Sequence, residues 1–274
     1  MVTGQPLTPE SIQLSRQTKV GMYTGCYVPP QNVDGATLFV SSGGRQIREF
    51  LFADVEQAYQ AKDLTLLSSE IIKNPRDCIY HSDDSVLYVV LGDGSVSCLT
   101  TYRTEQVNAW SKLKTDGSFR SVAAIGDDIY FCVSRKNGWF IEKMEDDWWV
   151  DCSTRLTSET PKKHWDGLDI YNGSEVSVVA DNFTIGLYEV KNSAIDLDEA
   201  ASEIIVGYPY EHIIEPLPFM QESARPWPPK ALRVVQGLFR IIRSRSFRIN
   251  IGGGYFEVPL KKMYRDQLLD CLLY

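Results

Sequence analysis

Apolar and polar residues alternate in short runs through the first half of the chain, and the runs come in pairs. Residues 36–40 (ATLFV) and 46–52 (QIREFLF) flank Ser41-Ser42-Gly43-Gly44. Residues 86–90 and 95–102 flank Gly92-Asp93-Gly94. The run starting at Asp128 (DIYFCV) and residues 139–144 flank Lys136-Asn137-Gly138. A period of two predicts strands, and the Asp-Gly and Asn-Gly pairs predict tight hairpin turns, because glycine accepts the positive φ they need. The units begin at Asp34, Asp84 and Asp128, spaced by 50 and 44 residues. Repeats of about 40–50 residues built from short strands predict propeller-like blades. Closed propellers have roughly 4–8 blades, so three units predict an incomplete or irregular set whose open sheet edges become interfaces.

Further strands are expected at 107–113 and 119–125, which gives a blade domain over 1–155 with units near 34–52, 84–113 and 119–150. Residues 12–20 are expected to form a short strand or an extended arm. The segment 56–72 breaks the β pattern. Its Leu64, Leu67, Ile71 and Ile72 suit a short helix with Asp63 as N-cap. The polar stretch 154–163, with Pro161, predicts a domain boundary. Beyond it, strands at 168–171, 175–180, 185–190, 204–208 and 233–242 predict a small antiparallel sandwich or barrel over 156–260. In 261–274, Met263, Leu268, Cys271 and Leu272 fall at helical spacing, which predicts a C-terminal tail or helix. The expected fold class is all-β, mainly antiparallel, with few short helices.

The net charge is −8, which argues against wrapping nucleic acid by general attraction. It is compatible with a channel that passes DNA without capturing it. Residues 1–9 lack a basic start followed by an apolar stretch, and no apolar run reaches the roughly 18 residues of a membrane span. The Asn-X-Ser/Thr triplets at Asn172 and Asn182 are read as chance. Six cysteines are scattered without a CxxC pair, so neither a zinc site nor a disulfide framework is expected. Cys98 and Cys132 read as small hydrophobes in strands.

Candidate chemistry is sparse. The chain has three histidines, His81, His164 and His212, and none lies in a nucleophile motif. GxSxG, a phosphate-binding Gly-rich loop and HExxH are all missing. No catalytic residue, metal ligand or cofactor is expected. The carboxylate pairs Asp83-Asp84, Asp127-Asp128 and Asp146-Asp147 would interest a glycosidase reading. Adjacent carboxylates point to opposite sides of a strand, however, and Asp is a common turn residue. Trp110, Trp139, Trp148 and Trp149 cluster around the third unit. They suit blade packing, an interface between subunits, or stacking on a sugar. Arg240, Arg243, Arg245 and Arg248 form a basic strip on an acidic chain: a solvated strand face, a contact for an acidic subunit, or a wall near DNA.

Several strings resemble a family of phage and prophage tail proteins. GRQIREFLF (44–52) followed by YQAKDLTLLSSEII (59–72) is similar to that family's segment joining an "AGR-x-RE" hairpin to an "APDLT-x-LA" helix. PLTPESIQLSRQTKVG (6–21), TYRTEQVNAWSKLKTDGSFRSVAAI (101–125), GLDIYNGSEVSVVADN (167–182) and IIVGYPYEHIIEPLP (204–218) also fit, in order. The resemblance covers residues 5–251. It implies a non-enzymatic component of the tail tube, nozzle or head–tail adaptor, with propeller-type β domains. It also implies ring assembly with copies of itself and other tail proteins, in a virion tail assembled in the bacterial cytoplasm near passing DNA and without a membrane. Family members carry a large N-terminal portion ahead of the segment matching Pro6, which this chain is expected to lack. A different class competes: a carbohydrate-binding tail module recognising a host surface glycan, possessing or lacking glycosidase activity.

Overall fold

The computed structural model describes residues 25, 28–53, 58–105, 107–146, 148–216, 236–244, 247–250, 252–258 and 269–273. The chain divides into two compact units, Met1–Tyr210 and Glu211–Tyr274. The fold is all-β; among the described residues every strand pairing is antiparallel and no sheet closes into a barrel. In the first unit, β1 (Gln31–Val33), β2 (Ala36–Val40), β3 (Ile47–Ala53) and β4 (Ala58–Asp63) form a four-stranded meander. A second meander follows: β5 (Pro75–His81), β6 (Val86–Leu91), β7 (Val96–Tyr102) and β8 (Val107–Leu113). The third sheet has three strands, β9 (Ser118–Ile125), β10 (Asp128–Arg135) and β11 (Gly138–Lys143). The fourth is built from β12 (Asp151–Trp165), β13 (Glu175–Ala180), β14 (Phe183–Glu189) and β15 (Ile195–Tyr208), in the order β12-β15-β13-β14.

The hairpins follow from their turn residues. Between β1 and β2, Asp34 and Gly35 both take positive φ (46° and 79°), as a two-residue loop with the twist of its strands requires. Between β6 and β7, Asp93 accepts from the Ser95 amide (3.0 Å) and hydroxyl (2.5 Å).

The first three sheets stack face to face. Alternation along β6 decides which neighbour each residue meets. Leu87, Val89 and Leu91 join Val33, Leu38, Val40 and Ile47 of the first sheet in one core. Tyr88 and Val90 join Val122, Ile129, Phe131 and Val133 of the third in another. With both faces covered, β6 reads as an unbroken apolar run, VLYVVL. Each aliphatic side chain buried there contributes about 1.5–3 kcal/mol. The first strands of successive sheets are also neighbours, β1 beside β5 and β5 beside β9. Side chains clip them together. Gln31 donates to the Cys78 carbonyl (3.3 Å) and accepts from the Tyr80 amide (3.2 Å). Asp77 accepts from the Val122 amide at 3.0 Å.

The fourth sheet has its own core. Val176, Val178, Ile204 and Val206 pack with Trp165, Leu168 and Tyr171. The Tyr171 hydroxyl bonds Thr154 (2.9 Å) and donates to the Cys152 carbonyl, with the Val206 carbonyl 3.2 Å away. In the second unit, β16 (Phe239–Ser244) pairs with β19 (Leu269–Leu273), and β17 (Phe247–Asn250) pairs with β18 (Tyr255–Val258).

Several expectations are corrected. The helix expected over 56–72 is not formed where the residues are described: 58–63 are β4, followed by turns. Asp63 does cap, but it caps a turn: its carboxylate accepts from the Thr65 amide (2.8 Å) and hydroxyl (2.6 Å). The four apolar residues found at helical spacing do not share one face. Ile72 is buried while Leu67 points to solvent. Residues 168–171 form a 3-10 turn at Asp169–Tyr171 rather than a strand, because Leu168 and Tyr171 both bury into the fourth-sheet core. The stretch 154–163 is the middle of β12, paired along β15 with register shifts that absorb its polar residues and Pro161. Residues 269–273 are a strand rather than a helix. The expected arm at 12–20 lies outside the described residues.

Candidate functional site

The four tryptophans do not form one cluster. Trp110 is half-buried between the first two sheets, and its indole N–H donates to the Leu64 carbonyl at 2.9 Å. Trp148 packs on Val150, Val179 and Ile205 of the fourth-sheet region. Trp149 is exposed. Trp139, on β11, is 66% exposed, with the Arg120 guanidinium 5.8 Å from its ring.

Trp139 belongs to a wider surface that the sequence reading missed. β10 buries Ile129, Phe131 and Val133 against the second sheet, so Tyr130 and Cys132 point the other way. On that outer face Cys132 stands opposite Ile141, and Tyr130 opposite Ala123. Ile141 is 80% exposed and Ile125 68%. Among the described residues β11 pairs only with β10, so its other edge is open. The alternation of DIYFCV was the signal that could have revealed this face.

A cleft of about 170 Å³ lies where the third and fourth sheets meet, lined by Asp116, Arg135, Asn137, Phe140, Cys152 and Tyr208 among others. Arg135 closes one wall, with its side chain 5% exposed. It donates to both carboxylate oxygens of Glu142 (2.5 and 2.6 Å), to Asp151 (3.4 Å) and to the Asp116 carbonyl (2.8 Å). Its guanidinium lies 6.0 Å from the Tyr208 ring centre. Asp151 also accepts from the Thr115 hydroxyl at 2.6 Å. Burial pushes the Cys152 thiol up to about 12, and the nearby Arg135 charge only partly offsets this. The thiol therefore stays protonated and a poor nucleophile at neutral pH. The charges meet one another, which makes the cleft a joint between sheets.

The remaining candidates separate. Arg240 and Arg243 lie on β16 and Arg248 on β17, while Arg245 is outside the described residues. Arg248 pairs with Glu211 (2.5 Å) and sits 5.4 Å from the Tyr255 ring centre. Of the carboxylates, Asp84 meets His81 Nδ1 (2.9 Å) and Asp128 meets Lys143 (3.0 Å). The Nε2 atom of His81 is buried without a hydrogen-bond partner. His164 pairs across strands with Asp196 at 2.8 Å. No group of three or more metal-ligating side chains occurs among the described residues. Cys78, Cys98, Cys132 and Cys152 are free thiols. Among the described residues no helix is long and apolar enough to cross a membrane.

No family model and no curated protein matches the chain.

Proposed function

We propose that this chain is a non-enzymatic structural component of a phage or prophage tail, acting by assembly with copies of itself and other tail proteins into a conduit for DNA. The three stacked sheets are read as consecutive blades of a propeller-type module. Their sequential meander order and neighbouring first strands support that reading. The single observation that carries the assembly reading is the outer face of the third sheet. A stack of sheets that ends on exposed Ile125, Trp139 and Ile141 is built to continue onto a neighbour. The ordered strings shared in resemblance with tail proteins point to the setting. The acidic balance suits DNA that passes without being held.

The test is mass spectrometry of tailed particles purified from an induced host. Stoichiometric recovery of the chain with the tail fraction is expected. Particles that assemble and infect without it overturn the proposal. The glycan-binding alternative is favoured by one observation, the exposed indoles of Trp139 and Trp149. A glycan array reads it directly: binding that disappears in Trp139→Ala or Trp149→Ala supports it, and a blank array removes it.

A further inference from the structure

The junctions among the first three sheets are filled by apolar side chains. The junction between the third and fourth sheets is lined largely by polar ones, and a cleft of about 170 Å³ stays open there. Its inner wall is held firmly. All but one of the Arg135 N–H groups are engaged, by Glu142, Asp151 and the Asp116 carbonyl. Cys152, in the same wall, takes φ of 51°, a left-handed backbone that a β-carbon disfavours. Neighbours keep it there. The Tyr171 hydroxyl donates to its carbonyl, and the preceding Asp151 carboxylate accepts from Arg135, the Thr115 hydroxyl and the Asp116 amide. Backbone strain fixed by its surroundings in this way gathers at ligand sites.

What the cleft offers a ligand is mostly neutral hydrogen-bonding capacity, and it comes from separate turns. Asn137 donates one amide hydrogen to the Ile170 carbonyl (3.0 Å), and Asn172 accepts from the Ser193 amide (3.1 Å). Each bond fixes one end of its side chain and leaves the other end open. Among the described residues the Asn137 side-chain oxygen, the Asn172 amino group and the Ser174 hydroxyl have no partner. An anion is disfavoured, because Arg135 and Lys136 are outnumbered by Asp116, Glu142 and Asp151. A metal ion lacks a set of three ligating side chains among the described residues. Phe140 and Tyr208 add aromatic surface. Donors and acceptors on short polar side chains, beside aromatic rings, match a polyhydroxylated ring, whose hydroxyls both donate and accept and whose C–H face is apolar. The volume is below the roughly 300–1,000 Å³ of drug-sized pockets, so the cleft has room for one small ring.

We infer that the cleft between the third and fourth sheets binds one neutral pyranose unit, bonded by Asn137, Asn172 and Ser174 and set against Phe140 and Tyr208. The site does not depend on the assembly reading. It also involves neither of the exposed indoles, Trp139 and Trp149, on which the glycan-binding alternative rests.

Saturation-transfer NMR on the full chain tests it, with the methyl glycosides of glucose, galactose and mannose and with N-acetylglucosamine as probes. One or more of these neutral sugars is expected to bind in the millimolar range, as a ligand this small does. Asn137→Ala and Ser174→Leu, each with circular dichroism to verify folding, are expected to weaken binding at least tenfold, and either folded variant decides. Trp139→Ala is the control and should bind like the wild type. Glucuronate, which brings a carboxylate toward Asp116, should bind at least tenfold more weakly than the best neutral probe. Silence from all the neutral probes overturns the inference, and so does a folded Asn137→Ala or Ser174→Leu that binds unchanged. Binding lost in Trp139→Ala moves the sugar to the indole and overturns the cleft. Glucuronate or inorganic phosphate binding more tightly than the neutral probes overturns the ligand class. The particle experiment fails separately: a chain absent from tails that still binds sugar through Asn137 loses the setting and keeps the site.

Discussion

Replacing Arg135 with methionine tests whether the third and fourth sheets are held together by a charged joint. The guanidinium reaches Glu142 through two short bonds, Asp151 through a longer one, and the Asp116 carbonyl. Methionine keeps much of the packing volume and removes every donor. Glu142 and Asp151, each with a side chain 22% exposed, are then left close together without their cation. Breaking a buried ion pair costs about 3–5 kcal/mol, because the orphaned charge keeps its desolvation penalty. Partial exposure of the two carboxylates puts this case at the low end, about 3 kcal/mol. For a unit of this size that lowers Tm by roughly 6–12 °C. Urea unfolding followed by circular dichroism measures the loss. The paired variant Arg135→Met/Glu142→Met removes the more closely paired of the two carboxylates as well as the cation, leaving Asp151 its bond from Thr115, and it should be more stable than Arg135→Met alone by about 1–2 kcal/mol. A single variant that loses less than about 1 kcal/mol, or a double variant that loses the sum of the two singles, refutes the joint.

Four other changes probe the fold independently. Leu99→Ala, at a fully buried position between the first two sheets, should cost about 2–5 kcal/mol in the same assay, whereas Leu187→Ala on the exposed edge of β14 should cost under about 0.5. Gly207→Ala should cost at least about 1–3 kcal/mol, because a Cβ there would sit 2.5 Å from the Asp151 carbonyl oxygen; a neutral result would mean that the start of β12 gives way easily. Burial of Asp93 opposes its ionisation, but bonds from Ser95 and Lys112 prevail and hold the carboxyl down at about 2, from 3.8. A depressed carboxylate stabilises the fold above its unfolded value and loses that contribution as pH falls through the folded one. Asp93→Asn should therefore flatten the dependence of stability on pH between about 4 and 2, and an unchanged acid limb in thermal melts would show that the turn bonds do not matter.

The hairpins were legible because they carry both signals at once, period-two alternation and a glycine turn. The strands at the sheet margins were not. β1 has only three residues, QNV, and β4 reads AYQAKD, whose polar residues look like a loop or a helix surface. Their place is set by neighbours: β1 by the Gln31 side chain clipped to β5, and β4 by pairing along β3. Asp63 suits a helix start as well as a turn, because the same carboxylate-to-amide bond serves both. Arg135, Glu142 and Asp151 gave no sequence signal, since their meeting depends on where the fourth sheet docks. The tryptophans were visible as a group, but composition does not say which way each one faces.

Which way they face follows from comparing strands that meet solvent. Along β12 the alternate exposed positions are Arg155, Thr157 and Glu159, the residues a permanently wet face takes. Along β11 they are Trp139, Ile141 and Lys143. Both strands lie at a sheet edge, and both alternate, so neither geometry nor propensity separates them. What differs is the medium each outward row suits. β6 shows the end state, a strand apolar at every second position on both sides because each side has a sheet against it. β10 keeps Tyr130 and Cys132 at the positions where β6 has Tyr88 and Val90, with Asp128 and Ser134 at the two ends of the same row. An outward row that keeps the chemistry of a covered row is the observation on which the proposed assembly rests.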